Sequence, residues 1–229
     1  MSRPLQAVIF DFDGVIANSE PLHLMAFQQA LEHEGVELTT HDYYSRYLGY
    51  DDAGVFEALA RDRRLQMSAT DVATLVARKG EHMEALLHSD AVLFPGAAEF
   101  IRDTAAAVPI AIASGAQRHE IVAIVESAGL AHLFAAIVAS GDTPESKPSP
   151  APYRLAFDRL REVAGDVLDP RRTVAIEDSR WGLESADGAG LRRVAVTSSY
   201  PAHELVGAEL IVDGLNALTL AALDRLCAH

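Results

Sequence analysis

The chain has 229 residues, 49% of them hydrophobic, with 33 acidic against 19 basic side chains and a net charge of −14. That balance supports a well-packed core in one large or two smaller folding units rather than a disordered chain. A field of this sign argues against nucleic acid and anionic membranes as partners. One cysteine, Cys227, rules out an internal disulfide. The N-terminal residues lack the basic flank and apolar stretch of a signal peptide, and no apolar run approaches the roughly 20 residues of a membrane span. The expectation is a cytoplasmic protein, monomeric by default, with no membrane or nucleic-acid partner.

In chain order, residues 7–10 form a short apolar run that reads as a buried strand and leads into Asp11-Phe12-Asp13-Gly14. Residues 18–92 then offer no strand. They read as helices at 21–33, where Leu24, Phe27 and Leu31 share a face, at 53–61 and at 71–88. From Leu93 the alternation resumes, with strands expected at 108–113, 136–139, 173–176, 193–196 and 209–212. Helices are expected between and after them, at 97–107, 118–128, 151–163, 181–189 and 218–227. Near-continuous apolar strands alternating with helices indicate a parallel sheet covered on both faces. The expected fold class is α/β: a core from residues 1–17 and 93–229, and an all-helical block, 18–92, inserted after the first strand where it could act as a lid.

Four polar clusters follow four of these strands, at the end where open α/β sheets bind ligands. Asp11 and Asp13 supply two carboxylates, one able to attack while the other manages protons. The competing reading is an Asp-Gly turn. Ser114-Gly115 offers a hydroxyl and unpaired amides to an anion, or else is an ordinary helix cap. Lys147 sits among Pro144, Pro148 and Pro150, which stiffen its loop; a fixed cation suits an oxyanion, although most lysines are simply solvated. Glu177-Asp178 ends an apolar strand, and hard oxygen donors of this kind, with Asp11, suit Mg²⁺. N-capping by Asp178 or Ser179 explains one of those residues but not the pair. Together the parts describe phosphoryl transfer. Asp11 would attack phosphorus, Mg²⁺, Ser114 and Lys147 would neutralise the equatorial oxygens, and Asp13 would protonate the leaving oxygen and then activate water.

These blocks, in this order, resemble the four motifs of the haloacid dehalogenase superfamily. Asn18-Ser19-Glu20-Pro21-Leu22-His23, Phe94-Pro95-Gly96, Lys147-Pro148-Ser149-Pro150 with Tyr153, and Glu177-Asp178-Ser179 with Gly182, Ala186 and Ala189-Gly190 are similar to its β-phosphoglucomutase and phosphoglycolate phosphatase branch. The resemblance implies a Rossmann-like core with a small helical cap, nucleophile Asp11, acid/base Asp13, and Mg²⁺ held by Asp11, the Asp13 carbonyl, Asp178 and Glu177. It also implies that His23 helps place the acid/base and engage the substrate. Glu20, Arg46 and Arg118 join His23, Ser114, Gly115 and Lys147 as candidate substrate-binding residues.

Two positions depart from that branch. Asn18 stands where an acidic residue is usual. Leu48-Gly49-Tyr50-Asp51-Asp52 stands where the mutases carry a basic residue, Gly, a variable residue, Ser and Arg, and an Asp there would repel a second phosphate. The expected function is therefore a Mg²⁺-dependent phosphatase of a small phosphorylated metabolite, a sugar phosphate or a phosphoglycolate-like acid. A β-phosphoglucomutase-like phosphomutase is the alternative. A metal-free dehalogenase and a non-catalytic binding protein are further readings. Trp181 is expected in the core.

Overall fold

Strand β1 (Ala7–Phe10) is buried along its whole length, as its unbroken apolar sequence requires of a strand covered on both faces. The computed structural model describes residues 4–47, 50–86, 93–165 and 167–228. Around β1 lie β2 (Ile110–Ala113), β3 (Phe134–Val138), β4 (Thr173–Glu177), β5 (Arg192–Val196) and β6 (Leu210–Val212). They form one sheet in the order β3-β2-β1-β4-β5-β6, every pair parallel. The chain moves outward from β1 to β2 and β3, then crosses back to β4 on the other side. That reversal leaves the crevice above β1 and its neighbours, where parallel α/β sheets bind ligands.

The predicted strands are all present, β1 at its expected bounds and the others with shifted ends. Strand β2 begins at Ile110 because Val108 closes the preceding helix, donating its N–H to Thr104 O, and Pro109 has no N–H to give. Strand β3 lies at the sheet edge and alternates in exposure, so it extends back to Phe134 beyond its most apolar stretch. Before these, α1 (Glu20–Leu31), α2 (Thr40–Asp42), a π-helical turn (Tyr43–Tyr47), α3 (Asp52–Arg63) and α4 (Ala69–Leu86) fill the segment expected to be helical. The sheet is covered by α5 (Ala97–Ala105), α6 (Arg118–Ser127), α7 (Ala151–Ala164), α8 (Arg180–Gly188) and α9 (Leu220–Cys227). On α7 the residues Tyr153, Ala156, Phe157 and Leu160 recur at helical spacing and join Ile9, Ala111, Val138 and Ala175 in one buried cluster.

Two units divide the chain: Met1–Asn18 with Asp90–His229, and Ser19–Ser89. In the first, the chain leaves and returns through adjacent segments. Ala17 bridges Leu93 in antiparallel sense, and Phe94 N–H donates to Ile16 O at 3.0 Å. The second unit has its own core, in which Phe27 meets Phe56 edge to face at 5.2 Å and Leu31, Leu38, Tyr47, Val55 and Leu59 are buried around them. The expected end of the last cap helix, at residues 87–88, and Leu48-Gly49 lie outside the described residues.

Trp181 departs from expectation. It lies off the buried face of α8, which is Gly182, Leu183, Ser185 and Ala186, and it is 39% exposed, its ring edge-on to Tyr200 at 6.1 Å. Cys227 is buried in α9, and burial pushes its thiol up to about 11, so it is no nucleophile at neutral pH.

Candidate active site

The ends of β1, β2 and β4 converge. Asp11 continues the β1 ladder, donating its N–H to Ile176 O at 2.9 Å, and so comes to rest beside Glu177 and Asp178 at the end of β4. Ser114 does the same at the end of β2, its N–H donating to Val138 O at 2.9 Å. Its hydroxyl accepts from Ala116 N–H at 3.0 Å, and α6 starts four residues after it, at Arg118, with Gln117 in the cap position. Ser114 is therefore not a helix cap, and Gly115 beside it is exposed with open space where a side chain would be.

Lys147 reaches this point from the loop after β3. Its ammonium donates to Asp11 Oδ1 at 2.8 Å and to Glu177 Oε1 at 2.6 Å. Glu177 is fully buried and committed on both oxygens: Oε1 also accepts from the Tyr153 hydroxyl at 2.7 Å, and Oε2 accepts from Asp178 N–H at 3.2 Å and Ser179 Oγ at 3.1 Å. The helix cap of α8 is Ser179, whose Oγ accepts from Gly182 N–H, which leaves Asp178 free of that duty. A Cβ at Gly182 would sit 1.9 Å from the Glu177 carboxylate, so this close packing requires glycine. Gly14, at φ +76°, is similarly constrained: a Cβ there would lie 1.9 Å from Asp178 Oδ2.

Asp11, Glu177 and Asp178 offer oxygens within 4.8 Å of one another, and all three are buried. Three carboxylates against the Lys147 ammonium leave two negative charges uncompensated. The consequence is visible in the proton affinities. Burial, then the Glu177 charge, pushes Asp11 up to about 7, with Lys147 pulling the other way. Asp178 is raised well above the carboxylate range by burial and by Asp11 and Glu177, although Ser199 hydrogen-bonds it. For Lys147, burial acts to lower the value, but Asp11 and Glu177 outweigh it and the group is raised. Hard oxygen donors with two surplus charges fit a divalent cation, which would neutralise the cluster and keep Asp11 ionised.

Asp13 lies two residues beyond Asp11, partly buried in the turn where it bridges Ala17. Arg118 is turned elsewhere: its guanidinium binds Asp142 and donates to Ile137 O at 3.1 Å. The structure thus gathers Asp11, Lys147, Glu177 and Asp178 by direct contact, while Arg118 lies against Asp142 and Ile137 O at the end of β3.

In the helical unit, Glu20 accepts from the Tyr43 hydroxyl at 2.7 Å, and burial raises its carboxyl. Arg46 pairs with Asp62 at 2.7 Å and lies over the Tyr47 ring. His23 Nδ1 is 2.9 Å from the ammonium of Lys79, a residue only 1% exposed, which also pairs with Asp52 at 3.0 Å. Burial and then the Lys79 charge push His23 down to about 3, so it is neutral at physiological pH. Sequence reasoning passed over Lys79, although a lysine in register with Val72, Leu75 and Met83 on the buried face of α4 was a signal. It also gave no role to Ser199 or to the Tyr153 hydroxyl.

A model of the haloacid dehalogenase-like hydrolase family matches residues 8–196. The chain is 34% identical over 231 residues to Protein CbbY of Cereibacter sphaeroides, covering 96% of this chain and 97% of that protein. It is 26% identical to the phosphorylated carbohydrates phosphatase of Thermotoga maritima, covering 83% and 84% of the two. The crystal structure of an Asp-to-Asn mutant of CbbY from Rhodobacter sphaeroides in complex with xylulose-1,5-bisphosphate superposes with a TM-score of 0.81 at 30% identity, over 96% of this chain and 99% of that one.

Proposed function

The chain belongs to the haloacid dehalogenase-like hydrolase family, and from that premise we propose that it is a Mg²⁺-dependent phosphatase of a small phosphorylated metabolite, working through an aspartyl phosphate on Asp11. The observation that carries this reading is the Lys147 ammonium bridging Asp11 and Glu177 among buried carboxylates at the end of the β1–β4 pair. A nucleophilic carboxylate beside a fixed cation is what attack on an anionic phosphoryl group requires, since the like-charge repulsion must be cancelled first.

In the first half-reaction an Asp11 oxygen forms a bond to phosphorus while the bond from phosphorus to the ester oxygen breaks, and Asp13 gives that leaving oxygen a proton. Lys147, the Ser114 hydroxyl and the amides that follow it hold the phosphoryl oxygens. In the second, Asp13 takes a proton from water as the water oxygen bonds to phosphorus, releasing inorganic phosphate and restoring Asp11. Asp11, the Asp13 carbonyl, Asp178 and Glu177 would hold Mg²⁺, which when bound would supply charge neutralisation for the acidic cluster and the phosphoryl group. The scheme does not require Arg118, which pairs with Asp142.

Residues 18–92 act as the specificity-giving cap in this reading, with His23 and Glu20 as its substrate contacts and Arg46 joining them on leaving its ion pair with Asp62. The relative crystallised with xylulose-1,5-bisphosphate and the carbohydrate phosphatase relative make sugar phosphates the first candidates. The phosphomutase alternative needs a second phosphate site, and here Asp52 occupies the mutase Arg position and ties up Lys79. The test is a phosphate-release screen with Mg²⁺ over sugar mono- and bisphosphates, phosphoglycolate and nucleotides, with chromatography for isomerised product. Free phosphate from a narrow subset, lost in Asp11→Asn, is the expected result. Isomerisation without phosphate release would replace this reading with the mutase.

A further inference from the structure

Tyr153 is fully buried in the first turn of α7, its ring locked by the cluster that contains Ala156, Phe157 and Leu160. Packing alone is served as well by phenylalanine, and a hydroxyl in such a place costs desolvation unless it is used. This one is used: it donates to Glu177 Oε1 at 2.7 Å, the same oxygen that accepts Lys147 at 2.6 Å. The ring contributes too, because the Lys147 ammonium lies 5.0 Å from its centroid, within cation–π range. Lysine is a point charge on a flexible four-carbon stem, so its placement depends on what holds its end. Here three groups do so: Asp11, Glu177 and the face of Tyr153. Asp11 is committed to the reaction. The fixed references are Glu177 and Tyr153, and Tyr153 also orients Glu177.

We propose that Tyr153 is a positioning residue: through its hydrogen bond to Glu177 and the face of its ring, it fixes the Lys147 ammonium where the phosphoryl group is to be held. The proposal rests on the reading of Lys147 as a phosphate ligand. A hydrogen bond to a charged group is worth about tenfold or more in an equilibrium. Tyr153→Phe is therefore expected to weaken binding of inorganic phosphate, titrated calorimetrically in Mg²⁺, by about tenfold, and to lower kcat on a phosphate ester by a similar factor.

A purely structural tyrosine would also affect activity by loosening the fold, so the deciding measurement is a double-mutant cycle with Lys147→Met. If Tyr153 acts through Lys147, adding Tyr153→Phe to Lys147→Met changes phosphate affinity by less than about twofold. The same loss in both backgrounds, or no loss in Tyr153→Phe alone, overturns the proposal. Should Tyr153→Phe lower the folded fraction, that loss enters both arms and cancels in their difference, so the deciding quantity is then the ratio of the two losses, expected at about tenfold if Tyr153 acts through Lys147 and near one if it does not. A wild-type protein that hydrolyses no ester but binds phosphate refutes the phosphatase reading and leaves the titration to judge Tyr153. A wild-type protein that hydrolyses esters while the cycle is additive refutes Tyr153 alone, and one that binds no phosphate refutes both.

Discussion

Replacing Gly14 by alanine separates backbone strain from side-chain collision at the acidic cluster. Gly14 has φ +76°, and its missing Cβ would meet Asp178 Oδ2 at 1.9 Å and Ser199 Oγ at 2.9 Å. Gly129 has nearly the same backbone, φ +66°, but nothing lies within 4 Å of where its Cβ would stand. Gly129→Ala therefore reports strain alone, roughly 1–2 kcal/mol for an L-residue in the left-handed region. Gly14→Ala adds displacement of a buried carboxylate that cannot stay where it is, roughly a further 1–3 kcal/mol by analogy with overpacking. At about 2–4 °C per kcal/mol, thermal melts should fall by roughly 2–8 °C for Gly129→Ala and about 4–20 °C for Gly14→Ala. Calorimetric titration of Mg²⁺ should show affinity unchanged in Gly129→Ala and weakened at least about tenfold in Gly14→Ala, the lower end for disturbing a ligand's surroundings. Equal melting losses with unchanged Mg²⁺ affinity in both variants would refute the argument that Asp178 is wedged against Gly14.

Other expectations follow from the charges. Asp13→Asn should lower kcat by about 10²–10⁴-fold, the range for a general acid–base group, while the protein still folds; retention of most of the wild-type rate would remove Asp13 from its role. In the helical unit, Asp52→Asn strips a buried ammonium of its carboxylate partner and should cost about 2–4 kcal/mol, discounted because the Asp52 side chain is 38% exposed. Lys79→Met, which removes the buried charge itself, should be neutral or stabilising, and equal losses in the two variants would contradict this asymmetry. His23 binds its proton only near pH 3 when folded but near 6.5 when unfolded, so below pH 6.5 the unfolded chain gains protons that the folded one refuses. Stability present at pH 7 should fall as the pH drops from 6.5 toward 3, and His23→Asn should melt with a shallower acid dependence; parallel slopes would count against a buried neutral imidazole. Arg118→Ala should leave KM for a phosphate ester within about threefold, since a surface ion pair contributes little and the guanidinium is held by Asp142.

The sequence by itself determined the elements and where chemistry could attach to them. The apolar residues of β1 and β4 dictate strands buried on both faces, and the sequence places Asp11, Glu177 and Asp178 at the carboxyl ends of those strands, so they collect at one end of the sheet. The helical reading of the segment between Ala17 and Leu93 came from the same periodicity. What the pattern did not carry was adjacency. Lys147 stands 136 residues from Asp11 and touches it only because the chain reverses direction across β1, and no local periodicity encodes a crossover. Adjacency also decided the contacts of single residues: Gln117 rather than Ser114 stands in the cap position of α6, Arg118 pairs with Asp142, and Tyr153 and Lys79 meet groups far away in the chain. Side-chain type and period fix local geometry through sterics and burial. Charge compensation depends on which ends of which strands become neighbours, and only the folded sheet settles that.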